Sequence, residues 1–248
     1  MRRSVQGLIA MILLAAASPA AAEPFLDLYT GKSSTLNSDI RIHQSSQGND
    51  FTVQDASYSD DSFTTPPYYG IRAGYFFEQY PWLGLAIDFF HFKMIANTNE
   101  TKRFTGTVGG ASIDGQQPMH SIVESFEISH GVNYVTATAL ARYSLLEDPE
   151  RFPKGRIQLY SGVGLGPIIT HAENRVQNIL YDDPYRVAGL GVQAFAGVRT
   201  LLFKHVGLFA EYRFTHSSLE VSVFSGRANV DENTHHIVGG ITFTIPSF

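Results

Sequence analysis

Much of the chain alternates with a period of two. In 68–77, Tyr69, Ile71, Ala73, Tyr75 and Phe77 fall on one side, and Tyr68, Gly70, Arg72 and Gly74 on the other. In 157–166, Ile157, Leu159, Val163 and Leu165 oppose Gln158, Tyr160, Gly162, Gly164 and Gly166. In 206–215, Val206, Leu208, Ala210, Tyr212 and Phe214 oppose Gly207, Phe209, Glu211, Arg213 and Thr215. This is the period of a strand with two unlike faces. It predicts eight strands, near 24–31, 66–77, 82–95, 126–143, 157–171, 186–200, 206–223 and 234–245.

The polar stripes are rich in glycine and carry charges of both signs, which suits a crowded, narrow lumen better than a wet outer surface. Apolar-out, polar-in strands of about ten residues are the pattern of a membrane barrel, and closure follows because lipid cannot satisfy a sheet edge. A soluble sandwich or lipocalin-like barrel is the competing architecture. Short links ("EQYP", "LLEDPERFPKG", "LLFKH") alternate with longer polar ones at 32–65, 96–125, 172–185 and 224–233. That alternation predicts a periplasmic rim of turns and an outer rim of long loops, with both chain ends on the periplasmic side. Ile40, Ile42, Phe51 and Val53 flank "QSSQGN", which predicts a hairpin standing above the membrane. "TGTVGGASIDGQQ" reads as a solvated loop. Tyr75, Phe76, Phe77, Tyr80 and Trp82 at one turn, with Tyr68 and Tyr69 at the other rim, read as interfacial girdles. The expected fold is all-β, an eight-stranded antiparallel transmembrane barrel with long outer loops.

The amino terminus adds the compartment. Arg2 and Arg3, the apolar run "GLIAMILLAAA" and the small residues before Glu23 read as a secretory signal peptide over 1–22, with the barrel domain at 23–248. Export and an apolar outer face together predict the bacterial outer membrane. The chain has no cysteine, so no disulfide staples it. A net charge of −5 and the absence of a basic run argue against a nucleic-acid partner. The expected state is a monomer.

Candidate chemistry follows from strand parity. In "AIDFFHFKM", the face built by Leu83, Leu85, Ile87 and Phe89 continues into His91 and Lys93. These two would stand where acyl chains give way to headgroups, and Lys93 would offer a point charge to a lipid A phosphate. The same parity places His171 and Glu173, and on a later strand His216, beyond apolar stripes at the outer rim. On alternate strands those three histidines diverge, so one metal site from all of them is not expected. Asp27, Arg72, Asp88, Arg142, Arg199, Glu211 and Arg213 all fall inward and predict a luminal ion-pair network. "SGVGLG" lies along a strand with no helix after it and is no nucleotide loop. His216 and Ser218 in "THSSLE", with Glu220 next along the same face, raise an acyl-transfer pair as in the lipid A deacylase barrels, but the fuller pattern of His, Ser and Asn is absent, since Leu219 follows Ser218.

"PPYYGIRAGYFF", "LAIDFFHFKM", "SHGVNYVTATALARY", "YSGVGLGPIITHAE" and "LFAEYRFTHS" come in an order and spacing that resemble the lipid A oxidase family of outer-membrane barrels. The most specific elements are Asp88, Phe89, His91 and Lys93 in one segment, and Gly131 and Asn133 in another. The resemblance implies oxygen-dependent oxidation of the proximal glucosamine of lipid A to 2-aminogluconate. It implies lipid A of the outer leaflet as partner and molecular oxygen as co-substrate, and it assigns no metal. On this reading His91, His171 and Glu173 are the catalytic candidates, and Lys93 and Asn133 the substrate-binding ones. The alternative is a non-catalytic structural or adhesive barrel whose outer loops meet partners.

Overall fold

The computed structural model describes residues 22–244, in thirteen strands. Eight form the barrel: β1 (Ala22–Thr35), β5 (Tyr69–Phe77), β6 (Leu83–Ala96), β9 (Val123–Leu145), β10 (Ile157–Val176), β11 (Ile179–Phe203), β12 (Val206–Val223) and β13 (Gly226–Thr244). Each pairs antiparallel with the next, and β13 pairs back onto β1 from Thr234↔Thr35 to Thr244↔Phe25, closing the ring. The expected signal peptide and the terminal Phe248 lie outside the described residues, apart from Ala22, which opens β1.

The alternation places side chains as expected. Leu28, Ile71, Leu85, Ile87, Leu159, Val163, Leu165, Leu208 and Ile241 project outward and are exposed, while Asp27, Arg72, Asp88, Arg199, Glu211 and Arg213 are buried inside. An exposed apolar belt around a charged interior inverts the arrangement of a water-soluble barrel and is stable only where lipid surrounds it. From Leu83 to His91 the strand rises roughly 26 Å, or about 20 Å along the axis at a tilt near 40°, close to the height of an outer-membrane belt.

The lumen is filled by side chains. Arg72 donates to Asp88 at 3.0 Å and grips Glu211 with two bonds of 3.0 and 3.1 Å. Arg213 bridges Glu211 (2.8 Å) and Asp88 (3.1 Å), and Arg199 holds Asp27 with two bonds of 2.9 and 3.0 Å. Three carboxylates and three guanidiniums thus neutralise one another in a space that water does not reach. At the periplasmic mouth Arg142 pairs with Glu23 and lies over the Phe76 ring.

The outer half differs from the expected loops. The 172–185 and 224–233 stretches continue as strands, joined by two-residue turns. At one of these turns Gln177 and Asn178 both take positive φ (49° and 63°), the geometry whose twist matches a hairpin. The predicted first hairpin is present as β2 (Ser38–Gln44) and β3 (Asn49–Ala56), with Ile42 opposite Phe51. The stretch expected as a solvated loop folds as β7 (Thr101–Val108) and β8 (Ala111–Pro118) around Gly109 and Gly110. β2 docks on β13, and the sheet runs on through β3 and β7 to β8; a short β4 (Tyr58–Ser59) pairs with β6. Ile40, Ile42, Phe51, Val53, Phe104 and Phe126 are buried within this extension, so apolar packing orders what polar composition alone would leave loose. Two residues expected in the girdles, Phe76 and Tyr68, instead point inward, while Tyr69, Tyr80 and Trp82 are exposed.

Candidate functional site

The β6–β9–β10 ladder loses its regular pairing at one level, just above the apolar belt. On β9, Ile128 pairs with Met94 and Val132 with Phe92, so three β9 residues face the single Lys93. Against β10, Glu127 and Val132 pair with Glu173 and Thr170, so β9 again carries the excess. β11 also slips against β10 between Thr170 and Ala172. His171 therefore sits between two irregular neighbours. Bulges of this kind re-aim side chains, and they concentrate at barrel rims and next to sites. The β9 bulge turns on Gly131, with φ +120°, where a Cβ would overlap the His91 ring. Only glycine accepts both the backbone angle and the contact.

Asn133 ties the strands together. Its Nδ2 donates to the carbonyls of Gly131 (3.1 Å) and Ile169 (2.9 Å), which fixes the amide with Oδ1 toward His91 Nδ1 at 3.0 Å. Because Oδ1 only accepts, Nδ1 of His91 carries the proton and Nε2 keeps its lone pair. That Nε2 is buried and has no hydrogen-bond partner among the described residues. The Tyr69 ring stacks on His91 at 5.0 Å. His91 and Lys93 do lie on the outward face, but they do not stand open to headgroups: they are 2% and 5% exposed. Segment 60–68 covers Lys93, whose Nζ donates to the Thr64 hydroxyl (2.9 Å) and carbonyl (3.1 Å) and to the Thr65 carbonyl (3.3 Å).

On the other side of Asn133 lie His130, His171 and Glu173. The two imidazoles stack at 4.6 Å, and His130 Nδ1 is 3.4 Å from Glu173 Oε1. His171 Nε2 bonds Asp182 on β11 at 2.6 Å, and the Tyr185 ring meets His171 edge-on at 4.9 Å while its hydroxyl donates to the His130 carbonyl. Glu127 is the cross-strand partner of Glu173. It lies above the apolar belt, where burial first, and then the Glu173 and Asp61 carboxylates, raise its pKa above the ordinary range.

Four of the five site residues expected from the sequence, His91, Asn133, His171 and Glu173, thus share one patch, and Lys93 anchors its roof. His130 was missed. On an unbroken strand its even position would point inward, and Gly131 in mid-strand was the available sign of a bulge. His216 is elsewhere, bonded to Asn233 (2.8 Å), while Ser218 donates to Asp231 (2.6 Å) and Glu220 lies near Arg186 and Arg227. With His216 and Ser218 each occupied separately, no nucleophile–base pair exists there.

Closure, belt and neutralised lumen define a transmembrane β-barrel of the outer-membrane kind. No family model and no curated protein matches the chain. Among solved structures it is similar to Neisserial surface protein A (13% identity, 91% of this chain and 97% of that one, TM-score 0.41). It is also similar to the outer membrane protein OprG from Pseudomonas aeruginosa (12%, 91% and 96%, 0.42) and to Ail, the attachment invasion locus protein of Yersinia pestis (12%, 90% and 99%, 0.32). All three are small outer-membrane barrels.

Proposed function

We propose that this protein is an outer-membrane barrel whose lateral site on β6, β9 and β10 acts on lipid A, oxidising the proximal glucosamine to 2-aminogluconate with dioxygen. The observation that carries this reading is convergence. Residues picked out by the resemblance, His91, Asn133, His171 and Glu173, are distant in sequence yet meet on one outward patch at the level of the outer-leaflet headgroups. In the reaction, the sugar hemiacetal loses two electrons and two protons, one proton from C1 and one from its hydroxyl. Dioxygen accepts both electrons and both protons to give hydrogen peroxide, and water opens the resulting lactone. His91 is buried, so its Nε2, whose tautomer Asn133 holds, can take the hydroxyl proton only once the contacts covering the ring open. Lys93 can meet a phosphate only when segment 60–68 moves aside, since Thr64 and Thr65 occupy its ammonium.

A second reading has its own support. The ordered extension presents β8, which ends the sheet, as an exposed polar strand suited to contact with another surface. Mass spectrometry of lipid A from cells with and without the gene separates the two. A mass gain of one oxygen on the proximal sugar that vanishes in His91→Gln, while the variant keeps heat-modifiable migration, supports the oxidase. Unchanged lipid A from wild-type cells grown in air would leave the adhesive or structural reading standing.

A further inference from the structure

We infer that His130, His171 and Glu173 bind a divalent first-row transition-metal ion on the outward face of the β9–β10 ladder. One ligand atom from each lies within 4.8 Å of the others. Metal–nitrogen and metal–oxygen bonds of about 2.0–2.2 Å require ligand atoms roughly 3.0–3.4 Å apart, so the widest separation need close by no more than about 1.5–2 Å. His130 and Glu173 are exposed enough to rotate that far.

The hydrogen bonding is already that of a ligand set. Asp182 accepts from His171 Nε2, which leaves Nδ1 as a bare lone pair, and that Nδ1 is buried with no hydrogen-bond partner among the described residues. A carboxylate behind an imidazole is the usual outer support of a ligating histidine, fixing its tautomer and raising its basicity. Glu127 directly opposite Glu173 adds a second negative charge. Like charges across a ladder are unfavourable alone, and a cation between them reverses the sign. The β9 bulge then acquires a reason, since without it His130 would point into the lumen.

Two imidazoles and one carboxylate hold an ion while leaving positions open for exogenous ligands, the arrangement that suits ferrous iron or zinc and not calcium or magnesium. Bound here, a redox-active ion would supply the dioxygen chemistry that side chains lack. The site itself stands on its geometry, whether or not lipid A is the substrate.

The test uses tag-free barrel in detergent, stripped with EDTA and dialysed. Cobalt(II) is titrated by visible absorption and zinc(II) by calorimetry. One equivalent should bind. His171→Gln and Glu173→Gln should each weaken binding at least about 100-fold, and Asp182→Asn about 10- to 100-fold. His216→Gln should leave affinity unchanged. His130→Gln alters a more exposed side chain, so it remains informative if His171→Gln misfolds, as judged by heat-modifiable migration. The inference is overturned if wild type binds cobalt no better than the His130→Gln/His171→Gln/Glu173→Gln triple variant. Cobalt binding with unmodified lipid A would instead sink the oxidase reading and leave the metal site intact.

Discussion

Removing one luminal charge tests the interior most sharply. Glu211 accepts two bonds from Arg72, two from Arg213 (Nε at 3.0 Å, Nη2 at 2.8 Å) and one from the Tyr160 hydroxyl at 3.0 Å. Glu211→Gln retains the shape but replaces one acceptor oxygen with a donor that faces two guanidiniums. The balance of three carboxylates against three arginines becomes an excess of one positive charge with no water to screen it. Removing one partner of a buried pair costs about 3–5 kcal/mol, and we expect that loss of unfolding free energy in urea titrations of the barrel refolded into vesicles. Neutralising the partner as well, in Glu211→Gln/Arg72→Met, should recover at least about half of it, because pairing and not either charge alone is what stabilises. A single variant within about 1 kcal/mol of wild type, or a double variant no better than the single, would refute the argument.

Leu208→Arg, on the lipid face, should cost about 2–4 kcal/mol in the same assay, while Leu208→Ala should be much milder. On the inward face Thr215 is buried against Glu232 and His236, and Thr215→Arg should fail to fold for want of space. Gly131→Ala should cost about 1–3 kcal/mol through its backbone angle and should abolish lipid A modification by displacing His91; a folded variant with full modification would refute the bulge's role. Lys93→Gln should release segment 60–68, read as faster amide exchange and new protease cleavage there. Unchanged protection would mean that the loop is held by other contacts.

The barrel was legible because lipid enforces the rule that makes strands readable. Each outward position from Leu83 to Phe89 must be apolar, and each inward one must fit a narrow lumen. The inward assignment of Asp27, Arg72, Asp88, Arg199, Glu211 and Arg213 held for the same reason. What sequence parity missed is where parity stops. His130 changes face because β9 carries two extra residues there, so parity fails inside the bulge and resumes beyond it, where Ile128 and Val132 pair with Met94 and Phe92 on one face. The cover over Lys93 arises from segment 60–68 folding back, a tertiary event without a periodic signature. The outer strands escaped notice because residues such as "NRVQNIL" carry turn chemistry at their centre and little alternation, while their pairing is stabilised by the apolar core of the extension. His171 and Glu173 were found because they continue an uninterrupted stripe on β10.

β9 to β13 project beyond the belt as continuous strands over a packed interior, and that decides how this protein meets anything outside the cell. A loop that orders on contact loses conformational entropy at the moment of binding, and its partner can select among shapes. The prefolded crown here loses little, so partners dock on a fixed relief and discrimination rests on contour and charge. Variation is then cheapest on the β8 side of the β7–β8 tip, where the strand is largely exposed and Gly115 has open space around it. An antibody raised against that tip would track sequence change closely, whereas one seated on the flanks of β10 and β11 would contact residues the barrel cannot alter without moving His171.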